Sequence, residues 1–194
     1  MKLGCEEIGN YQVAELLSII NSTLKGRATI GGGALRSYFE GNTPRDIDIF
    51  MLDDNEESFR EVVDDVLHEL NLAKYYPNKL ISKNHYFTED YSMTYWGGYI
   101  WANAIIISFI VPKEYEGRVL YGTPEVLASE YDLSPVRCCL LPDNNIHFAD
   151  GKEEYFKLFY AMDMKVRGDV QSQKRTQKRI EKYQKYGYRL IGEI

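Results

Sequence analysis

The chain has 194 residues, 44% of them hydrophobic and 27% charged, with a formal net charge of −6. This is the profile of a folded protein with a sizeable core; it excludes a disordered chain and a protein coated in basic surface for nucleic acid, though not a local basic patch. Its three cysteines, Cys5, Cys138 and Cys139, are odd in number with two adjacent, which makes a poor disulfide framework. With no apolar run of membrane-spanning length, the expected setting is cytoplasmic, without a membrane partner.

Val13, Leu16, Leu17, Ile20 and Leu24 recur at helical spacing over residues 10 to 24, with Asn10 as the cap. Ala28-Thr29-Ile30 reads as a short strand. Gly31, Gly32 and Gly33 follow, a run whose backbone freedom allows close approach to a ligand. A short helix over Ala34 to Glu40 then turns its free amides and positive dipole end toward the glycines, with Arg36 one turn in, which makes an anion site fit for phosphate. Pro44 ends any continuing helix, and Arg45 is placed either to pair with Asp46 or to reach a phosphate. In Asp46-Ile47-Asp48-Ile49-Phe50 the alternation has period two, so a strand presents Asp46 and Asp48 on one face and Ile47 and Ile49 on the other. Carboxylates about 7 Å apart along a strand repel each other, and a hard cation removes that cost. Mg2+ takes one or two protein carboxylates and completes its shell with water and phosphate oxygens, and Mn2+ is an acceptable substitute.

Gly32-Gly33-Ala34-Leu35-Arg36, a spacer and Asp46-Ile47-Asp48 together resemble the GGxxR…DxD signature of the DNA polymerase β-like nucleotidyltransferase superfamily, in the form carried by the tRNA CCA-adding and poly(A) polymerase head domain. The resemblance covers residues 28 to 50 closely and the remainder by order of elements. It implies a metal-dependent enzyme in which Asp46 and Asp48 hold Mg2+ and Gly32, Gly33 and Arg36 hold the β and γ phosphates of a nucleoside triphosphate. An ordinary strand-to-helix turn followed by the solvent face of an edge strand is the plainer reading of the same residues.

Asp53-Asp54-Asn55 precedes a helix expected from Glu56 to Ala73, where acidic residues suit the N-terminus; His68 lies on its wet side. From Tyr75 to Tyr99 tyrosines are frequent, with Lys79 to Ser82 and His85 to Phe87 as short strands. Tyr86, Tyr95 and Trp96 serve either the core or base stacking. Gly97-Gly98 reads as a hairpin turn before one long strand, Tyr99 to Val111, and Ile100 to Val111 contains no Asp or Glu. Polymerase β-like folds commonly carry a third metal carboxylate on this strand, so the resemblance here implies a site leaning on the DxD pair alone.

Thr123-Pro124 opens a helix. Glu130 to Ser134 resembles the RRDFTIN motif of the CCA-adding family with Asp132 in the place of its Asp, which implies contact with the nucleotide sugar; the two preceding arginines are absent. The alternative is that Asp132 caps a turn before a strand over Val136 to Leu141. Cys138 and Cys139 in that strand are small buried hydrophobes, and Ile146 to Phe148, with a structural His147, completes a hairpin. A helix over Glu153 to Val166 follows, then a basic helix with Lys174, Arg175, Lys178, Arg179, Lys182, Lys185 and Arg189. This stripe is a solvated surface or a grip for triphosphate or nucleic-acid phosphate.

The expected fold is therefore mixed α/β, a small sheet with helices mainly on one face, residues 1–150 forming a nucleotidyltransferase-like domain and 151–194 a C-terminal helical segment packed on it. The expected activity is transfer of a nucleoside monophosphate from a nucleoside triphosphate to an acceptor hydroxyl of RNA, protein or a small molecule, with release of pyrophosphate. The alternative is a catalytically silent nucleotide- or partner-binding protein of the same fold, of the kind encoded by viruses or mobile elements.

Overall fold

The computed structural model describes residues 1–4, 9, 11–53, 55–72, 82–86, 95–102, 105–112, 122–167 and 173–192. Its scaffold is a five-stranded sheet of order β1-β2-β5-β4-β3, built from β1 (Ala28–Ile30), β2 (Asp46–Met51), β3 (Ser82–Tyr86), β4 (Tyr95–Ala102) and β5 (Ile105–Pro112). All neighbours are antiparallel except β2 and β5, which run parallel. Parallel neighbours need a long crossover, and here the chain uses it for α3 (Glu56–Leu72) and the β3–β4 pair.

One face of the β2–β5 pair is apolar. Ile47, Ile49 and Met51 of β2 join Ile105, Ile107 and Phe109 of β5 in a core closed by α1 (Tyr11–Leu24) and by Phe59, Val62, Val66 and Leu70 of α3. Each such side chain, fully buried, contributes about 1.5–3 kcal/mol, so a one-residue slip of β2 is prohibitive. It would bring the isoleucines out and carry Asp48 into the core. The apolar half of the alternation thus forces the acidic half onto the opposite, less covered face.

Asn10, Cys5, Asp54, Ala73, Lys79 to Ile81 and Phe87 lie outside the described residues. Asp53 and Asn55 form the expected helix start rather than a metal cluster: Asn55 Oδ1 accepts the N–H groups of Glu57 and Ser58, and Asp53 Oδ1 accepts that of Asn55. Several boundaries differ from the sequence reading. Gly97-Gly98 is not a turn but the middle of β4, paired on one side with Ile110 and Phe109 and on the other with Asn84 and Lys83. The chain reverses between Ala102 and Ile105, so the single long strand is two. The helix expected to reach Val166 stops as α5 (Lys152–Ala161), because Met162 takes a left-handed backbone (φ 53°) and the chain then enters β8 (Asp163–Met164). The strand expected from Val136 begins only at Cys138, after a single 3-10 turn over Ser134–Val136.

α4 (Pro124–Glu130) is capped by Thr123, whose hydroxyl accepts the Val126 N–H. β6 (Cys138–Leu140) and β7 (Ile146–Phe148) form a hairpin that brings Phe148 against Phe39 and against Tyr155 and Phe156 of α5. A second apolar cluster, Leu133, Val136, Met164, Ile180, Tyr183 and Tyr188, seats α6 (Gln173–Lys185) and β9 (Arg189–Leu190) over residues 131–136. Burial pushes the Cys138 thiol up to about 12, so it packs as an inert small hydrophobe.

Candidate active site

Asp46 and Asp48 lie on the open face of β2, and the β2–β5 register pairs them with Ile106 and Ser108. Ser108 is the polar interruption in the Ile-Ile-Ile-Ser-Phe-Ile run, half-buried on the acidic side of the sheet beside Asp48. The β1–β2 register pairs Ile30 with Ile49. Continued by one residue, it brings Gly31 beside Asp48, so the glycine turn starts at the carboxylates. Burial raises the Asp48 carboxyl to about 6, the Asp46 charge adds to the rise, and Lys182 and Arg179 pull the other way. The sheet face therefore carries an acid held against repulsion, within the field of two cations from α6.

The three glycines do different work. Gly32 has φ 66°, a backbone that side chains resist, and precedes α2 (Gly33–Phe39). Side chains at Gly31 or Gly32 would run into the ring of Tyr131, which packs there edge-on to Phe50 at 6.1 Å. Gly33 alone faces open space, with no atom within 4 Å of where its Cβ would be. Room for a ligand at the turn is thus at Gly33.

Arg36 points elsewhere. Its guanidinium lies 5.1 Å from the ring centre of Tyr183 and 4.8 Å from that of Tyr186, and its Nη1 donates to Glu40 Oε1 at 2.9 Å. Asp132 also turns to α6: Oδ1 accepts from Arg179 Nη1 at 2.7 Å and Oδ2 from the Thr176 hydroxyl at 2.8 Å. It caps no turn. The loop carrying Asp132 is itself anchored by Arg137, which donates to the Ser129 and Tyr131 carbonyls and to Asp150.

Arg175, Arg179 and Lys182 follow one stripe of α6 at spacings of four and three. Burial and the neighbouring Arg179 charge lower Arg175 to about 9. A guanidinium keeps its proton in a protein, so that direction reports the burial of Arg175 beside a second cation. Lys174, Lys178 and Lys185 are exposed on the helix. The site joins two acids on a strand to a cationic helix stripe. Among the described residues no cluster of three or more His, Cys, Asp or Glu could hold a metal. Two carboxylates on one strand face, Asp46 exposed and Asp48 half-buried, do suit Mg2+, which draws its other ligands from water and phosphate.

Tyr183, Tyr186, Glu40, Thr176 and Ser108 are the residues that sequence reasoning did not single out for the site. The one visible signal was Ser108, polar within an apolar strand; the others acquire meaning only through partners far along the chain.

The fold is similar to that of solved CCA-adding and tRNA-processing enzymes. Among solved structures, a CCA-adding enzyme in complex with CTP matches with a TM-score of 0.61 over 93% of this chain and 40% of its own, at 13% identity. A tRNA-processing enzyme in an apo form matches at 0.60 over 98% and 46%, with 15% identity. The Thermotoga maritima CCA-adding enzyme complexed with tRNA matches at 0.60 over 96% and 41%, with 13% identity. The chain thus spans less than half the length of each of these proteins. No family model matches it, and no curated protein matches it in sequence. No helix among the described residues is long and apolar enough to cross a membrane.

Proposed function

We propose that the protein is a metal-dependent nucleotidyltransferase that moves a nucleoside monophosphate from a nucleoside triphosphate to an acceptor hydroxyl. The observation that carries this reading is the placement of Arg179 and Lys182 within the field of Asp48, on a fold shared with CCA-adding enzymes. Asp46 and Asp48 would hold Mg2+, with Mn2+ as a substitute; the ion would supply charge neutralisation at the phosphates and acidify the attacking hydroxyl. Gly32 and Gly33 would offer backbone beside the triphosphate tail. Arg175, Arg179 and Lys182 would bind its oxygens and balance the charge that builds on the leaving group. The acceptor oxygen bonds to the α-phosphorus, the bond from that phosphorus to the bridging oxygen breaks, pyrophosphate departs and the hydroxyl proton passes to water. Lys174, Lys178 and Lys185 on the exposed side of α6 favour an RNA acceptor, gripped by its phosphates without regard to sequence.

The test is incubation with each labelled triphosphate and Mg2+, with bulk RNA, with a protein mixture, or alone. Pyrophosphate release that needs the metal and disappears in Asp46→Asn and Asp48→Asn is the expected result. Nucleotide binding that ignores the metal and leads to no turnover would replace the enzyme with a silent binding module.

A further inference from the structure

Arg36 is 9% exposed; among the described residues its charge is met by one carboxylate and two aromatic faces, and its Nε has no partner. Burying a cation in this way is costly, and the surroundings that offset it are specific. Tyr183 on α6 and Tyr186 in the turn just after it stand T-shaped to each other at 5.9 Å and 88°, so the guanidinium meets both ring faces. The Tyr188 hydroxyl donates at 3.0 Å to the same Glu40 oxygen that accepts from Arg36. Four groups from the C-terminal segment and α2 therefore converge on one point at the end of α6. At the other end, Asp132 holds Arg179 and Thr176. Between these two pins lies Lys182, which with the pinned Arg179 acts on Asp48.

A helix turned by one residue rotates its side chains by about 100°. Such a turn would take both tyrosine rings off Arg36 and swing Lys182 away from Asp48 together, so the cage around Arg36 and the facing of Lys182 are one geometric condition. We propose that Arg36 is a positioning residue: caged by Tyr183, Tyr186 and Glu40, it fixes the rotation of α6 and so sets Arg179 and Lys182 on the triphosphate. The inference rests on the nucleotidyl-transfer reading above and gives Arg36 a task other than touching phosphate. To reach a phosphate it would have to leave both rings and Glu40.

The test is calorimetric titration of the full chain with inorganic tripolyphosphate in Mg2+, with circular dichroism confirming that each variant is folded. Arg36→Met and Lys182→Met should each weaken binding by about tenfold, on the scale of a desolvated cation–π contact. The double variant should bind no more weakly than Arg36→Met alone, because one residue acts through the other. Tyr186→Phe keeps a ring over the guanidinium and should bind within about twofold of the wild type, whereas Tyr186→Leu should lose as much as Arg36→Met. Should Arg36→Met fail to fold, Tyr186→Leu paired with Lys182→Met runs the same cycle on a half-exposed position. Wild-type affinity in Arg36→Met, or losses that multiply to about a hundredfold in the double variant as independent contacts do, overturns the positioning role and leaves the enzyme reading intact. A wild-type chain that binds no tripolyphosphate removes the parent reading, and the proposal with it.

Discussion

Replacing Asp48 by asparagine removes a carboxyl that the fold holds against burial and against Asp46, so without metal the variant should be the more stable protein. The carboxyl moves from its ordinary 3.8 to about 6 on folding. At about 1.4 kcal/mol per tenfold change in proton affinity, the ionised native state carries a penalty of about 3 kcal/mol at pH 8. The sign follows from proton uptake: the native state binds the proton more tightly, so stability is undiminished below pH 3.8 and declines as pH rises to about 6. Above that the penalty is complete. Asparagine does not ionise, so the advantage of Asp48→Asn should be about 3 kcal/mol at pH 8 and about half that at pH 5. For a chain of this size that is about 6–12 °C in melting temperature at pH 8. The assay is thermal melting of both proteins in EDTA at the two pH values, then with millimolar Mg2+. The metal should raise the wild type toward the variant and do little for Asp48→Asn. An Asp48→Asn protein that melts no higher than the wild type at pH 8 in EDTA, or gains equally at both pH values, refutes the reasoning.

Two further substitutions probe the loop that frames the site. Gly31→Ala should cost about 1–3 kcal/mol by overpacking, since the added methyl meets the Tyr131 hydroxyl; denaturant melts should show Tyr131→Phe in the same chain recovering part of the loss. Arg137→Met should cost about 1–3 kcal/mol, because the Ser129 and Tyr131 carbonyls lose their donor while Asp150 keeps its ion pair with Arg167. The same variant should weaken tripolyphosphate binding more than its melting temperature alone accounts for, since the segment it anchors carries Asp132 and hence Arg179.

What could be read from the residues alone were the features whose cause is local. Period two in Asp46 to Phe50 fixes which face carries the acids whatever the sheet becomes, because the isoleucines have to be buried. The spacing of Val13 to Leu24 yields a helix by the same logic, and Thr123-Pro124 starts one because a hydroxyl cap and a fixed φ act within one turn. Gly97-Gly98 misled because a glycine pair is also tolerated inside a strand flanked on both sides, and nothing local separates the two cases.

The destinations of long polar side chains were settled by the tertiary structure. Arg36 beside a glycine turn has the sequence of a phosphate ligand, yet its cage comes from Tyr183, Tyr186 and a Glu40 that Tyr188 reaches across 148 positions of chain. Asp132 likewise finds Arg179 and Thr176 on a helix whose cations, seen as a string of letters, form one broad stripe with nothing to say what it faces. A charged side chain can satisfy itself with any opposite partner or with water, so its direction follows from which surfaces the apolar core brings together. Here the cluster of Leu133, Val136, Met164, Ile180, Tyr183 and Tyr188 does this: by seating α6, it turns a basic tail into one wall of the site.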